Sequence, residues 1–320
     1  MNGTGTQENP YVIMNADDLY SMGTAGSNQT YFSLGADIDF NDTQYAEDFV
    51  PILLNCRKFT GNGHVIRNIN YAVTDKNACI FTLFSEEEEN TPVDVEGIKV
   101  ENVRLAGKEV FIFGNNGGKF SLSLERCVFV VNDMAPIVSS QATADYRHCI
   151  LHDNDITASV DYCTFSLNVY FQKITAVFSG DTISHTQLRL EMHTNVYSGS
   201  SDQYNSLFSG SSVSDSYGFI NVSVYKTGSS GNVTLSSSDS IFNRSYFIIE
   251  IANQVSTVYW YGTVGSTCFY NQELLKKNNR YSSLMCSDGS SQFIHGLTTS
   301  QCKDAAYLRS IGFNCMEEET

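Results

Sequence analysis

"FTGNGHVIRNINY", residues 59–71, decides the fold. A Gly-Asn-Gly turn leads into apolar Val65, Ile66, Ile69 and Tyr71, with Asn68 set between them. Taken alone, the stretch suits one arm of a β-hairpin or one coil of a repeating structure. Recurrence separates the two. The order apolar, any, polar, then Cys or another small or apolar residue returns at "IRNI" (66–69), "VENV" (100–103), "LERC" (124–127), "YRHC" (146–149) and "VDYC" (160–163). It returns again at "HTQL" (185–188), "VSDS" (213–216) and "FNRS" (242–245). Most spacings lie near the roughly twenty-odd residues expected of one β-solenoid coil.

A second phrase places bulky apolar residues before a small turn residue: "FTLFS" (81–85), "VFIFG" (110–114), "TAVFSG" (175–180) and "SLFSG" (206–210). Between the phrases runs period-2 alternation, as at Ile69/Tyr71/Val73 and Val103/Leu105. Alternation marks strands with one face buried. Helical periodicity is missing between them, which excludes βαβ units. Stacked coils form parallel sheets without crossover helices, because no coil can bury its apolar face alone. The sequence therefore predicts an all-β, right-handed parallel β-helix. Gly61 and Gly63 supply turn conformations that side chains forbid. Asn68 is expected in a left-handed bend, with Ile66 and Ile69 pointing inward on either side.

The bulk composition agrees. Of 320 residues, 42% are hydrophobic and only 17% charged, and the net charge is −16. Acids outnumber bases 35 to 19, which argues against a nucleic-acid partner. "SEEEEN" (85–90) and the terminal "MEEET" read as a solvated loop and a tail. The N-terminus has no basic n-region and no apolar h-region, so the protein is not exported by that route or has lost a leader. No apolar run reaches the length of a membrane span.

Both ends of the chain resemble GLUG-type β-helix proteins. The resemblance is carried by "GTGTQENPYVIMNADDLYSM" (3–22), "YFSLGADIDFND" (31–42) and "FVPI" (49–52) with "FTGNGHVIRNI" (59–69). Near the end it is carried by "STCFYN" (266–271) and "GLTTSQCKDAAYLRSIGF" (296–313). Cys302 stands where that family usually has Met, and its "GLFG" appears only as "TLFS", "SLFS" or "AVFS". Members are bacterial adhesin-like surface proteins and bacteriophage virion proteins, so the resemblance implies a rigid body for display or attachment. It supplies no catalytic residue. The expected organisation is an N-terminal cap over 1–54, coils over 55–265 and a C-terminal cap over 266–320. Short helices are expected at "NADDLYSM" (15–22), N-capped by Asn15, and near "SQCKDAAYLRS" (300–310), opened by Thr299 or Ser300.

Candidate chemistry is sparse. Cys127, Cys149 and Cys163 share one phase of the repeat, together with Ile69, Val103 and Leu188. They read as an inward stack of small, soft residues rather than a redox or metal cluster. Cys286, Cys302 and Cys315 could form one bridge in an oxidising compartment. The six histidines show no metal-ligand spacing. Asp153, Asp155 and Asp161 are the best candidates for a pair of facing carboxylates, as glycoside hydrolysis requires, although a polar turn is the plainer reading. In "VYWYG" (258–262), Tyr259, Trp260 and Tyr261 are the candidate binding residues, for a sugar or a protein neighbour. No cofactor and no metal are expected. The expectation is a non-enzymatic structural or host-attachment protein of a bacteriophage virion, such as a tail fibre, assembled in the host cytoplasm. A homotrimer contacting other virion proteins or a host-surface glycan fits that role. A bacterial surface adhesin and a polysaccharide-cleaving spike are the alternatives.

Overall fold

The computed structural model describes residues 1–85, 90–136, 148–153, 155–171, 175–196, 205–226, 232–236, 240–243, 245–252, 257–260, 263–264, 268–271, 294–297, 299–302 and 304–310. The chain divides into two compact units, Met1–Tyr170 and Phe171–Thr320.

In the first unit the chain fills three sheets in rotation, and every strand pairing between neighbouring coils is parallel. The first sheet stacks Tyr11–Ile13, Tyr31–Leu34, Lys58–Thr60, Asn90–Glu96, Lys119–Glu125 and Ile156–Asp161. The second stacks Ile38–Asp39, Val65–Ala72, Lys99–Gly107, Val128–Pro136 and Thr164–Phe171. The third stacks Ile52–Leu54, Ala78–Leu83 and Val110–Asn115, after which Phe113 bridges His152. The "FTGNGHVIRNINY" stretch is thus one coil. Its Phe59 and Thr60 lie in the first sheet and Val65 onward in the second, joined at Asn62 (φ 52°) and Gly63 (φ 81°). A side chain at Gly61 would strike the Gly97 carbonyl oxygen of the next coil at 2.0 Å.

The second unit follows the same plan. Its first sheet is Thr182–Ser184, Ser212–Ser214, Ile241–Asn243 and Thr263–Val264. Its second is Gln187–Val196, Tyr217–Lys226, Tyr246–Ala252, Cys268–Asn271 and Ile294–Leu297. Its third is Thr175–Ser179, Asn205–Ser209, Asn232–Ser236 and Thr257–Trp260. This is an all-β parallel β-helix with a few short helices. Its coils are longer than the repeated phrases suggest. Thr60 pairs with Glu96, Glu96 with Glu125 and Glu125 with Asp161, which gives coils of 36, 29 and 36 residues.

Parallel in-register stacking repeats each inward residue about 4.8 Å above its equivalent. Phenylalanines therefore pile on one another. Phe81 stacks on Phe113 (5.4 Å, 21°) and Phe129 on Phe165 (5.4 Å, 16°), while Phe113 meets Phe129 edge-on. In the second unit Phe178 stacks on Phe208 (5.7 Å, 18°). All six are fully buried. Such pairs add about 0.5–1.5 kcal/mol each beyond their area.

Left-handed residues mark several bends, two of them within or beside the second sheet. One interrupts the second sheet at Asn68 (φ 64°) and Asn102 (φ 51°), as expected for Asn68. Ile66 and Ile69 are buried on either side. Here the side chains form a ladder. Asn68 Nδ2 donates to Asp39 Oδ1 (2.6 Å), Asn102 Nδ2 to Asn68 Oδ1, and Asn132 Nδ2 to Asn102 Oδ1 (3.2 Å). The other bend joins the first sheet to the second. Gly97, Arg126 and Tyr162 occupy it in the first unit, His185 and Asp215 in the second, all at positive φ. Their backbone N–H groups reach forward to the next coil: Gly97 to the Glu125 carbonyl (2.8 Å), Arg126 to Asp161 (3.1 Å), His185 to Ser214 (3.2 Å) and Asp215 to Asn243 (3.1 Å).

The helix Ala16–Tyr20 forms where expected, and Asn15 Oδ1 accepts the Asp18 N–H at 2.9 Å. Helices Thr299–Cys302 and Ala305–Ser310 lie in the predicted C-terminal segment. The segments read as caps also add strands to the sheets, at Tyr11–Ile13, Tyr31–Leu34, Cys268–Asn271 and Ile294–Leu297. Among the described residues no helix is long and apolar enough to cross a membrane.

Candidate functional site

The last residue of three consecutive first-sheet strands is acidic. Glu96, Glu125 and Asp161 are in register, each just before the left-handed corner. Adjacent strands place their backbones about 4.8 Å apart. Lys58 Nζ lies 2.5 Å from Glu96, and Arg126 Nη1 spans Glu96 (3.3 Å) and Glu125 (2.9 Å). The hydrogen bond from Lys58 holds the Glu96 carboxyl below the usual carboxylate range. Arg57 pairs with Asp94 at 2.6 Å alongside. The column is an ionic ladder in which bases face most of the acids. Sequence reasoning found Asp161 but missed Glu96 and Glu125. The signal was present, because "VEG" (95–97), "LER" (124–126) and "VDY" (160–162) each put an acid before the corner residue.

The three predicted carboxylates do not converge. Asp155 precedes the strand Ile156–Asp161 and Asp161 ends it. Six residues of strand separate them by roughly 20 Å. Asp153 belongs to the third sheet, where its N–H donates to the Phe113 carbonyl (2.9 Å). Glycosidase carboxyls stand about 5–10 Å apart, so Asp155 and Asp161 cannot share a scissile bond. Asp153 instead acts on Glu109. Burial first, and then the charge of Asp153, push the Glu109 carboxyl above its ordinary range, while Asn77 Nδ2 donates to its Oε2 (2.9 Å). Glu109 can thus keep a proton to higher pH than an exposed glutamate. Among the described residues, no three His, Cys, Asp or Glu side chains are grouped to hold a metal ion.

Cys127 and Cys163 are free and fully buried. Their phase needs correction. They follow the corner residues Arg126 and Tyr162, so their equivalents are Ile98, Thr186, Ser216 and Ser245, all fully buried. Ile69 and Val103 follow the asparagine bend instead, and Leu188 lies two residues beyond Thr186. Cys149 ends the short strand His148–Cys149, and the next carbonyl, of Ile150, accepts from Ile112 of the third sheet (2.9 Å). It therefore sits at a different place in the coil. Cys163 Sγ donates to the Asp161 carbonyl at 3.3 Å. Thr186, Ser216 and Ser245 make the same bond two residues back with hydroxyls, at 2.7, 2.7 and 2.9 Å. The hydrogen bond to Cys127, and then burial, push the Cys163 thiol up. Of the cysteines expected near the C-terminus, Cys302 ends the helix Thr299–Cys302, and Cys286 and Cys315 lie outside the described residues.

Among the histidines, His64 Nδ1 lies 3.1 Å from Asp37 Oδ1, and His152 is buried with Nδ1 2.9 Å from the Asp153 carbonyl oxygen. Tyr259 and Trp260 lie in the third-sheet strand Thr257–Trp260, paired with Thr234 and Ser236. Tyr261 and residues 86–89 of the acidic loop lie outside the described residues.

The rotating sheets and their stacked ladders define a protein of the parallel β-helix class. No family model matches the sequence, and no curated protein matches it. Among solved structures the chain is similar to one described as a "putative immunoglobulin A1 protease" from Bacteroides ovatus, with a TM-score of 0.50 and 15% identity. The match covers 99% of this chain and 92% of that one. At that identity the likeness is one of fold.

Proposed function

We propose that this chain is a non-enzymatic structural or host-attachment protein of a bacteriophage virion, built as a GLUG-type β-helix and acting as a homotrimer. The observation that carries the reading is the coil surface. Its ionic and asparagine ladders pair side chains with one another along successive coils, over a core of stacked phenylalanines. Such a surface repeats its polar groups from coil to coil, which suits contact with other virion proteins or a host-surface glycan. Tyr259, Trp260 and Tyr261 belong to the same proposal as aromatic contacts. The test is mass spectrometry of purified particles, with adsorption of the isolated protein to bacterial cells and its molar mass in solution. Presence in the particle, adsorption weakened by Trp260→Ala and a trimeric mass support the reading. Absence from particles moves the protein to a bacterial surface adhesin.

A second reading rests on Glu109, whose raised carboxyl beside Asp153 could serve as a proton donor. The name given to the Bacteroides ovatus structure also leans toward an enzyme. Incubation with immunoglobulin A1 and with capsular polysaccharides decides between them. Cleavage lost in both Glu109→Gln and Asp153→Asn establishes the enzymatic reading.

A further inference from the structure

We propose that Asn116 is a site of self-modification, where the folded chain converts its own Asn-Gly peptide to aspartate and isoaspartate. The inference goes beyond the attachment reading and holds whatever the chain contacts. The sequence contains three Asn-Gly pairs: Asn2–Gly3, Asn62–Gly63 and Asn116–Gly117. Glycine after asparagine lets the following backbone nitrogen reach the carboxamide, because no Cβ stands in its way. The reaction also needs an untied carboxamide, a following N–H that donates to nothing, and room for the peptide to turn.

The fold meets these needs at one pair and opposes them at the other two. Asn62 Nδ2 donates to the Leu34 carbonyl (3.2 Å), and the His64 N–H closes the turn onto the Gly61 carbonyl (3.0 Å). The Asn2 carbonyl accepts the Val12 N–H at 2.7 Å, and a Cβ at Gly3 would stand 2.0 Å from the Pro10 carbonyl oxygen. At Asn116 the backbone N–H donates to the Leu83 carbonyl (3.1 Å), but among the described residues neither its carboxamide nor the Gly117 N–H makes a hydrogen bond. Both residues are exposed, Gly117 sits at φ 88°, and a Cβ there would meet nothing within 4 Å. The neighbouring Asn115 is tied instead, its Nδ2 donating to the Gly118 carbonyl at 3.1 Å.

The Gly117 nitrogen gives its proton to solvent base and attacks Asn116 Cγ. The carboxamide nitrogen leaves as ammonia, and a cyclic imide remains. Water opens the imide at Cγ to give aspartate, or at the main-chain carbonyl to give isoaspartate. Isoaspartate lengthens the main chain by a methylene, in the turn between Val110–Asn115 and Lys119–Glu125. Gly117 and Gly118, both at positive φ, absorb that length with no side chain to reposition. The product is a folded chain with an added negative charge.

The test ages the full chain, folded and in urea, in neutral and in mildly alkaline buffer. Mass spectrometry follows the tryptic peptides 59–67 and 109–119, and enzymatic carboxyl methylation reveals isoaspartate. In urea the two peptides should convert at similar rates. In the folded chain 109–119 should convert about two- to tenfold faster than 59–67, the factor one net hydrogen bond supplies. Conversion should quicken as pH rises, because the attacking nitrogen must lose its proton. Asn116→Gln should abolish it in 109–119 and leave 59–67 unchanged. Ion exchange should resolve the converted chain as a more acidic form with the circular dichroism of the parent. Equal rates at the two peptides in the folded chain, conversion at Asn115 in place of Asn116, or no isoaspartate after ageing overturns the proposal. A difference that persists in urea also overturns it, since sequence rather than fold would then set the rates. Loss of the β signal in the converted chain overturns the tolerance assigned to the turn.

Discussion

Asn102 does two things at once. Its backbone sits at φ 51°, and its side chain joins Asn68 below to Asn132 above. Glycine at this position keeps the backbone and removes the hydrogen bonds, whereas alanine removes the bonds and strains the backbone. Asn102→Gly should cost about 1–2 kcal/mol in urea denaturation, and Asn102→Ala about 1 kcal/mol more. Equal losses would show that the conformation costs nothing. Cys163 makes a gentler test. Threonine and serine fill its equivalent places in the second unit with the same hydrogen bond. Cys163→Ser should therefore stay within about 1 kcal/mol of the parent. A thiol reagent should leave Cys127 and Cys163 unlabelled in the native protein, and rapid labelling of either would contradict their burial. The bend at Asn68 was legible because few residues accept a left-handed backbone and asparagine is one. The phase of the cysteines was not, because the four-letter phrase fits two bends. Arg126 and Tyr162 take positive φ without advertising it in their chemistry.

Strands explain both the success and the other errors. Alternation and the glycine turn were enough to identify "FTGNGHVIRNINY" as a coil. Coil length was misjudged because the connections differ in length while the paired strands stay in register, so the phrases alone do not measure a turn. The acid column left a trace in the acid before each corner residue, but its alignment across coils is legible only once register is known, since its members lie some thirty positions apart. The asparagine ladder predicts a pH response. The hydrogen bond from Asn68, and then that from Arg67, lower the Asp39 carboxyl against the opposing effect of burial. A lowered folded-state pKa contributes stability that is complete above the unfolded value and lost as pH falls through the folded one. Stability should therefore decline below about pH 4, the ordinary aspartate value. In Asp39→Asn that part of the decline should be missing. An unchanged acid limb in Asp39→Asn would assign the loss to other carboxylates.

The core of each unit is continuous through its phenylalanines, so damage at one coil should be felt at its neighbours. Phe113 contacts Phe81 and Phe129 and has no solvent exposure. Phe113→Ala should cost about 3–5 kcal/mol, the usual range for emptying such a site. Hydrogen exchange should then rise in the strands Ala78–Leu83 and Val128–Pro136 as well as at the mutated coil. Exchange that changes only at Val110–Asn115 would mean that the stack does not transmit packing.

The corner amides have a consequence for how the chain is made. Gly97, Arg126, His185 and Asp215 donate to carbonyls that lie 28 to 35 positions later in the chain. On a ribosome the donor emerges first and waits for its acceptor. Each finished coil therefore leaves this amide, with the rest of its strand edge, unpaired until the next has been synthesised, and a chain interrupted between coils ends in the same open strand edge wherever it stops. Truncated chains of different lengths should thus be similarly adhesive toward one another, and the nascent protein most needs protection at its growing end.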